Sequence, residues 1–214
     1  MSRIKFATAV SFLWLVASVA SAEYIDFRST AFSGAYGKTS YSFTTSSGTG
    51  VTAVAGGTGS SLYWDSQDGF GVMGCSGYET DEIDSSESLT LKFSKSTYLD
   101  DVFITDLFKE SGYLEIGYYS LNGGTPVKFL ADASQVSGTT NGEKTLDINK
   151  YINSVTFTAP GKLGLFGTQN HEFSVGGIKI GSLSVPELDP SAASSALALL
   201  VAADFALHGR RRVV

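Results

Sequence analysis

Cysteine and histidine are scarce in this sequence. The single cysteine is Cys75, so the chain has no partner for an internal disulfide. The two histidines are His171 and His208, and a zinc site is excluded because it needs several His or Cys ligands. His171 is the only histidine of residues 23–190, so a Ser-His-Asp site there has one possible base. Its surroundings, GTQNHEFSV, are typical of an exposed turn before a strand, which we expect instead.

Basic residues are few between the two ends of the chain. Residues 23–190 contain Arg28 and nine lysines against twenty acidic residues, a net charge of −10. Nucleic-acid binding needs a basic face, so this balance excludes nucleic acid as a partner. The acidity is typical of an extracellular protein or of one that binds cations.

Helical periodicity is also missing from residues 23–184, where apolar residues recur with a period of two. TSYSFTT places Tyr41 and Phe43 on one face, and SVTFTAP does the same with Val155 and Phe157. Alternation in SLTLKF predicts that Leu89, Leu91 and Phe93 face a core. About a dozen such short segments, separated by Gly, Ser, Asn and Asp, predict an all-β fold. The expected architecture is an antiparallel β-sandwich of the jelly-roll type, with Asn122–Gly123 forming a hairpin turn.

The first 22 residues are typical of a secretory signal peptide. Arg3 and Lys5 precede the apolar run FATAVSFLWLVASVA, and Ala20 and Ala22 give the small-x-small pattern that signal peptidase needs. Glu23 is then the first mature residue. The alternative is a retained membrane helix, which the short run and the small-residue site disfavour. We therefore divide the chain into a signal peptide (1–22), a β domain (23–184) and a tail (185–214).

The tail combines three features in a fixed order. VPEL, at residues 185–188, precedes an alanine- and leucine-rich segment, and Arg210, Arg211 and Arg212 follow it. Residues 191–209 as a helix would nearly span a hydrocarbon core of about 30 Å. Arginines at the far end favour a cytoplasmic location for that end of a transmembrane helix.

The tail resembles the PEP-CTERM sorting signal of Gram-negative bacteria, in its VPEL-type variant. The resemblance implies that Pro186, Glu187 and Leu188 form the recognised motif and that an exosortase-type protease processes it. It also implies an exported protein that crosses the inner membrane transiently through residues 191–209. Such proteins reach the cell surface or extracellular matrix and are associated with exopolysaccharide and biofilm. The alternative is an ordinary C-terminal membrane anchor.

An acidic segment of the β domain predicts a cation site. Six carboxylates lie within twenty residues, with no Lys or Arg between them. Dense oxygen ligands on a Gly- and Ser-rich loop suit Ca²⁺, which takes six to eight oxygens. A solvated acidic loop is the alternative. The same stretch, GFGV…DEID…ESLTLKF, is loosely similar to the β domains of other PEP-CTERM proteins. The candidate calcium ligands are Asp68, Glu79, Asp81, Glu82, Asp84 and Glu87.

Three functions remain open at this stage. The main interpretation is a sorted surface or matrix protein whose sandwich is an interaction module. The second is a calcium-dependent carbohydrate-binding module, because Trp64 and tyrosines such as the adjacent Tyr118 and Tyr119 can stack on sugars. The third is a secreted glycan-processing enzyme with paired carboxylates, although nothing in the sequence selects such a pair.

The tail assignment predicts a specific covalent product. The intact mass of the exported protein should lack residues 1–22 and the segment that follows the VPEL motif. Replacing Glu187, or the three arginines together, should leave the tail attached and the protein mislocalised, because the processing protease no longer recognises its substrate. Normal release of either variant would contradict the sorting assignment.

Overall fold

A computed structural model describes residues 22–74, 81–84, 87–161 and 169–181. Within these residues the chain forms twelve β-strands and one short 3₁₀ helix (Thr30–Ala35). All pairs between these strands are antiparallel, so the predicted all-β antiparallel class is confirmed. The strands are β1 (Glu23–Asp26), β2 (Ser40–Thr44), β3 (Gly50–Gly56), β4 (Ser61–Asp65), β5 (Gly69–Met73), β6 (Ser88–Thr105), β7 (Lys109–Glu110), β8 (Tyr113–Leu114), β9 (Ile116–Leu121), β10 (Val127–Leu130), β11 (Lys144–Thr158) and β12 (Ser174–Gly181).

The longest strands, β6 and β11, each join segments that the sequence predicts as separate short strands. SLTLKF and the later DVFIT belong to one strand of 18 residues, and KTLDI and SVTFT belong to one of 15. The polar residues between the segments do not end the pairing. Register shifts accommodate them, one of them beside Asn149, whose φ is 52°. Local composition therefore underestimated the length of both strands.

The two long strands divide the sheet into two halves. The front half consists of the start of β6 and the end of β11, together with β2, β3, β9 and β10. The back half consists of the end of β6 and the start of β11, together with β12, β1, β5 and β4. A single pair of strands thus runs through both halves. Strands β7 and β8 form a separate two-stranded sheet.

Aromatic residues link the two halves in one core. Phe27 and Phe32 each contact Phe43 of β2 in the front half and Phe70 of β5 in the back half. The sheet therefore curls, so that strands far apart in its order meet across shared rings. The alternation predicted from the sequence is confirmed for Leu89, Leu91, Phe93, Val155 and Phe157, which are all buried in this core.

The predicted hairpin turn is also confirmed, with a longer connection than expected. Asn122 and Gly123 both have positive φ, and the Gly124 N–H donates to the carbonyl oxygen of Leu121 at 2.9 Å. β10 begins only at Val127, so Gly124, Thr125 and Pro126 belong to the connection and not to either strand. The Asn122 side chain accepts from the N–H groups of Asn153 and Ser154, which ties the turn to β11.

Several sequence-based predictions lie outside the described residues. They are the signal peptide before residue 22, Glu79, the strand candidate KLGLF within 162–168, and the whole tail with its helix at 191–209. In the part of the chain that the structure describes, no helix has the length and apolar character needed to cross a bilayer.

Gly71 gives a test of how the acidic segment packs on the sheet. A Cβ there would overlap the carbonyl oxygen of Asp81 and lie 3.0 Å from the Glu82 Cα atom. We expect Gly71→Ala to destabilise the fold by about 1–3 kcal/mol, because backbone of residues 81–82 would have to move. The midpoint of urea unfolding measures this effect.

Gly34→Ala is the matched control for Gly71→Ala. Its Cβ would meet only the Tyr41 ring, at an ordinary distance of 3.6 Å. Equal unfolding midpoints for the two variants would contradict the close packing of residues 81–82 on β5.

Candidate functional site

A groove of about 450 Å³ lies on the face of the back half that points away from the core. Tyr24 of β1 and Phe103 of β6 line it, and each alternates with buried neighbours such as Ile25 and Val102. Strand alternation therefore places both aromatic rings on the outer face. The volume is within the usual range for small-molecule pockets.

The floor of the groove is an aromatic pair made possible by a glycine. Tyr24 and Phe103 pack edge to face, with ring centroids 4.8 Å apart. Gly177 of β12 lies between them in the sheet, opposite Phe103. A Cβ on Gly177 would come within 3.3 Å of the Tyr24 ring. The missing side chain leaves space for the tyrosine to lean across β12.

One wall of the groove is the loop 131–143, which connects β10 and β11. Lys144 pairs with Asp132 at 2.6 Å, and the Lys109 N–H donates to the carbonyl oxygen of Gln135 at 2.6 Å. Gly142 has a φ of 59° and accepts from the Leu107 N–H at 3.0 Å. These contacts fix the loop at its start, middle and end, so the wall is formed before any ligand arrives.

Two polar side chains of the groove have hydrogen-bonding capacity left. The Arg28 guanidinium donates to both carboxylate oxygens of Asp26, from Nε at 2.9 Å and from Nη2 at 3.4 Å. Its Nη1 and Nη2 atoms also lie 3.4 Å from Glu143 and from the Tyr24 hydroxyl, respectively. Gln135 lines the groove, and its Oε1 atom is buried with no hydrogen-bond partner among the described residues. This oxygen has no solvent-exposed surface, so a ligand in the groove would contact Gln135 through its other atoms.

Next to the groove, acidic side chains from distant parts of the sequence gather at the ends of several strands. Asp68 follows β4, Asp106 follows β6, and Glu115 lies between β8 and β9. The carboxyl groups of Asp68 and Asp106 lie close enough for each to affect the pKa of the other. Residues 81–82 cover β5, and the Ile83 N–H donates to the carbonyl oxygen of Phe173, so this segment packs beside the start of β12.

Burial shifts the proton affinity of these carboxyls. Burial, followed by the nearby Asp68, raises the pKa of Asp106 to about 8. Burial also raises the pKa of Glu115 to about 8, although the Phe108 N–H donates to its carboxylate at 2.6 Å and acts the other way. For Glu82, burial and the carboxyl groups of Glu172 and Asp106 raise the pKa to about 11. These groups therefore hold protons or require positive charge nearby at neutral pH.

The structure brings only part of the predicted calcium set together. Asp68, Asp81 and Glu82 all interact electrostatically with Asp106. Asp84 and Glu87 are buried and bond to each other: the Asp84 N–H donates to the Glu87 carboxylate at 3.3 Å. Within residues 22–74, 81–84, 87–161 and 169–181, no three His, Cys, Asp or Glu side chains are arranged to hold a metal ion. Calcium binding stays a prediction.

The prediction that His171 is an exposed turn residue is wrong. Its side chain is 1% exposed and packs against the edge of Tyr113, with ring centroids 5.4 Å apart. Burial, and then the charge of Lys128, lowers the pKa of His171. Neither ring nitrogen has a hydrogen-bond partner within the described residues, so no serine is positioned there for proton transfer. Phe173, two residues further along and directly before β12, is also fully buried, so the chain enters the core before the strand begins.

The aromatic residues singled out in the sequence are mostly structural. Trp64 donates its indole N–H to the carbonyl oxygen of Phe27 at 2.7 Å, and Tyr119 packs against the core near Phe129. The most exposed rings are instead those of Tyr24, Tyr36 and Tyr151. Of these three, Tyr24 lines the groove.

Sequence reasoning missed the residues that define the groove and half of the acidic cluster. Tyr24 and Phe103 are far apart in the chain, and Gln135 lies in an unremarkable polar loop. Asp106 directly follows a strand, and Glu115 lies between two strands. This position beside strand ends was the only feature of the sequence that could have pointed to them. Asp106 has a φ of 54°, a conformation that aspartate and asparagine tolerate better than most residues.

Comparisons with known proteins are limited to distant structural likeness. No protein-family model matches the chain, and no curated protein matches it in sequence. A family 35 carbohydrate-binding module from Clostridium thermocellum is 15% identical, with a TM-score of 0.38, and the match covers 61% of this chain and 92% of the module. An exo-β-1,3-galactanase from Phanerochaete chrysosporium, solved with β-1,3-galactotriose, is 18% identical, with a TM-score of 0.34. That match covers 67% of this chain and spans only 29% of the galactanase. TM-scores this low do not establish a shared topology, so neither neighbour assigns a ligand to this chain.

The acidic cluster predicts that folding stability falls as the pH rises from 6.5 to 8.5. Asp106 and Glu115 have pKa values of about 8 in the folded chain, above their ordinary values of 3.8 and 4.5. Groups with raised folded pKa values stabilise the fold at low pH, and this stability is lost as the pH rises through the folded values. Urea midpoints measured in EDTA across this range should therefore decrease.

Asp106→Asn combined with Glu115→Gln is the control for that titration. Both replacements keep the shape of the side chain and remove the titration, and asparagine accepts the positive φ at position 106. The variant should show a smaller decrease. A midpoint that stays constant or rises with pH in the original protein would contradict the uncompensated burial of these carboxyls.

Proposed function

We propose that the chain is an exported protein whose β domain binds extracellular carbohydrate. The observation that carries this proposal is the groove on the back half, with its Tyr24–Phe103 floor and a polar rim that includes Arg28, Gln135 and Thr145. Among the alternatives left open by the sequence, it favours a carbohydrate-binding module over an interaction module of unspecified partner.

The groove has the two kinds of contact that sugars need. A pyranose ring has apolar C–H faces that pack on an aromatic ring, and hydroxyls that need hydrogen-bond partners. Tyr24 is 47% exposed, which leaves much of its ring free to pack on a sugar. Gln135, Arg28 and the Thr145 hydroxyl supply polar groups around the ring.

Export and sorting form the second part of the proposal. The signal peptide at 1–22 would be removed by signal peptidase, and the tail at 185–214 would be processed by an exosortase-type protease after transient insertion of residues 191–209. The mature β domain would then reach the cell surface or matrix, where exopolysaccharide is the expected carbohydrate. We also propose that the curled sheet is a β-sandwich of the jelly-roll type.

Calcium dependence is a candidate property of the same domain. The observation in its favour is that burial raises the pKa of Asp106, Glu115 and Glu82 and that none of them pairs with a lysine or arginine within the described residues, so nearby positive charge would favour their ionised forms. Millimolar Ca²⁺ added to the urea titration at pH 8.5 should then raise the midpoint and flatten its pH dependence. An unchanged midpoint would exclude this property without affecting the groove.

The proposed role is binding rather than catalysis. Paired-carboxylate glycosidases keep their two carboxyl groups about 5–9.5 Å apart to accommodate the sugar or a water molecule. Asp68 and Asp106 instead lie close together, with each carboxyl group affecting the pKa of the other.

Tyr24→Ala should weaken carbohydrate binding by about 2–10-fold, because aromatic contacts of this kind contribute about 0.5–1.5 kcal/mol beyond their buried area. Affinity electrophoresis of the full-length protein in gels that contain exopolysaccharide measures the change.

Tyr151→Ala is the matched control for Tyr24→Ala. Tyr151 is 56% exposed and also packs edge to face on a neighbour, Tyr98, but it does not line the groove. Equal losses of binding in the two variants would contradict the assignment of the groove, and retention of binding by Tyr24→Ala would exclude it.

A further inference from the structure

His171 is an enclosed imidazole whose hydrogen-bonding capacity is unused. Its side chain is 1% exposed, and neither ring nitrogen has a hydrogen-bond partner within the described residues. Tyr113 of β8 contacts the ring edge to face, and the nearby Phe173 packs on Phe129 of β10. A neutral ring can be accommodated here, whereas a charged imidazolium would lose its hydration without gaining an acceptor.

The surroundings of His171 favour the neutral ring. Burial lowers the pKa of His171 below its ordinary value of 6.5, and the positive charge of Lys128 on β10 acts in the same direction. Glu172 accepts from the Asn170 side-chain amide of its own segment. Burial, followed by Glu115 and Glu110, raises the pKa of Tyr113, so these two carboxylates lie on the side of the tyrosine. The titratable groups of the elements around the ring are those of Lys109, Glu110, Tyr113, Glu115, Lys128 and Glu172.

Tyr113 belongs to a small hairpin that depends on its contacts with other elements. The two strands of this hairpin, β7 and β8, have two residues each, and a two-stranded hairpin is at best marginally stable in water. Phe108 and Glu115 close its neck. The Glu115 N–H donates to the Phe108 carbonyl oxygen at 3.0 Å, and the Phe108 N–H donates to the Glu115 carboxylate at 2.6 Å. Residues 109–114 can therefore move as a unit while Glu115 stays in place.

The same hairpin supports the wall of the groove. The Lys109 N–H donates to the Gln135 carbonyl oxygen at 2.6 Å, and the Ser137 N–H donates to the Lys109 carbonyl oxygen at 3.4 Å. These bonds are the middle attachment of the loop 131–143, and Gln135 lines the groove. When the hairpin leaves its place, the loop keeps only the attachments at its start and end.

We propose that His171 is an acid-sensitive latch on the β7–β8 hairpin. The neutral ring packs against Tyr113 and keeps residues 109–114 docked. A ring that takes up a proton is favoured in water, so the hairpin opens and the middle of the groove wall is released.

The direction of this response follows from the lowered pKa of His171. The open form binds a proton more readily than the docked form, so docking is fully stable above pH 6.5 and weakens as the pH falls below that value. The effect of the latch on carbohydrate binding rests on the proposed function, whereas the opening itself does not.

Hydrogen exchange of the full-length protein at pH 7 and pH 5, followed by mass spectrometry, tests the latch. After correction for intrinsic exchange rates, the protection of residues 109–114 and 135–137 should fall by up to about 20-fold at pH 5, because an exposed imidazole gains protons by about this factor. Residues 99–104 of β6 are the internal reference. Unchanged protection of residues 109–114 overturns the inference, and so does an equal fall at residues 99–104, which would indicate global unfolding.

Three variants assign the response to His171. His171→Phe keeps an aromatic ring that cannot take up a proton, so the loss of protection at pH 5 should disappear. Lys128→Gln removes an exposed positive charge and should move the loss to higher pH, which keeps the test available if His171→Phe does not fold. Glu115→Gln removes the titrating group of the hairpin neck and should leave the loss in place. The opposite result in any folded variant overturns the assignment.

Affinity electrophoresis in gels that contain exopolysaccharide, run at pH 7 and pH 5, connects the latch to the groove. The original protein should bind more weakly at pH 5, and His171→Phe should bind equally at both values. A change in exchange without a change in binding overturns the link to the groove. Absence of binding at both pH values overturns the proposed carbohydrate function and leaves the latch intact.

Discussion

The pairing of β6 with β11 is the constraint on which the rest of the structure depends. The two strands run together from Ser88 opposite Thr158 to Ile104 opposite Lys144, and register shifts interrupt the ladder without ending it. Each bulge lets the pair bend and twist, so the beginning and the end of β6 can take different neighbours on their other edge. β3 pairs with the first part and β12 with the second. Without this continuity the halves of the sheet could not share a core, and Phe103 would not lie beside Tyr24.

Electrostatics sets a second constraint at the end of the back half. In antiparallel pairs the end of one strand lies beside the start of its neighbour, and here the residues next to those strand ends are acids from distant parts of the chain. Asp68, Asp106 and Glu115 are partly buried by this convergence, which raises the pKa of each. Burying these acids lowers the stability of the fold locally, and packing elsewhere must offset this loss. The described core contains many fully buried apolar side chains, among them Phe27, Phe70, Phe157 and Phe173. Such a cost is typical of a functional region rather than of a purely structural one.

Local chemistry made the class of the fold predictable, and long-range pairing limited what else could be predicted. Alternation in SLTLKF and SVTFT correctly identified Leu89, Leu91, Val155 and Phe157 as core residues, because strand period depends only on neighbours in the sequence. The sequence predicted the segments on either side of the polar residues 94–97 as separate strands, yet β6 continues through these residues because β11 supplies hydrogen-bond partners on both sides of the bulge. The residues of the site were harder to predict from the sequence. Asp81 and Glu82 were identified as part of an acidic segment, but Asp106 and Glu115 join them only after the chain has folded. His171 was misassigned because nothing in GTQNHEFSV shows that Tyr113 and the start of β12 enclose it.

The groove and the acidic cluster are physically connected through β6 and β12. Thr105 lines the groove, and its hydroxyl donates to the carbonyl oxygen of Asp68 at 2.7 Å. Gly176 also lines the groove, and a Cβ there would press on the Thr105 methyl group at 2.9 Å and approach the Asp68 carbonyl oxygen at 3.6 Å. The backbone of Asp68 and the wall of the groove are therefore in direct contact. The groove and the acidic cluster therefore meet at Asp68, whose backbone accepts from a groove residue while its side chain belongs to the cluster.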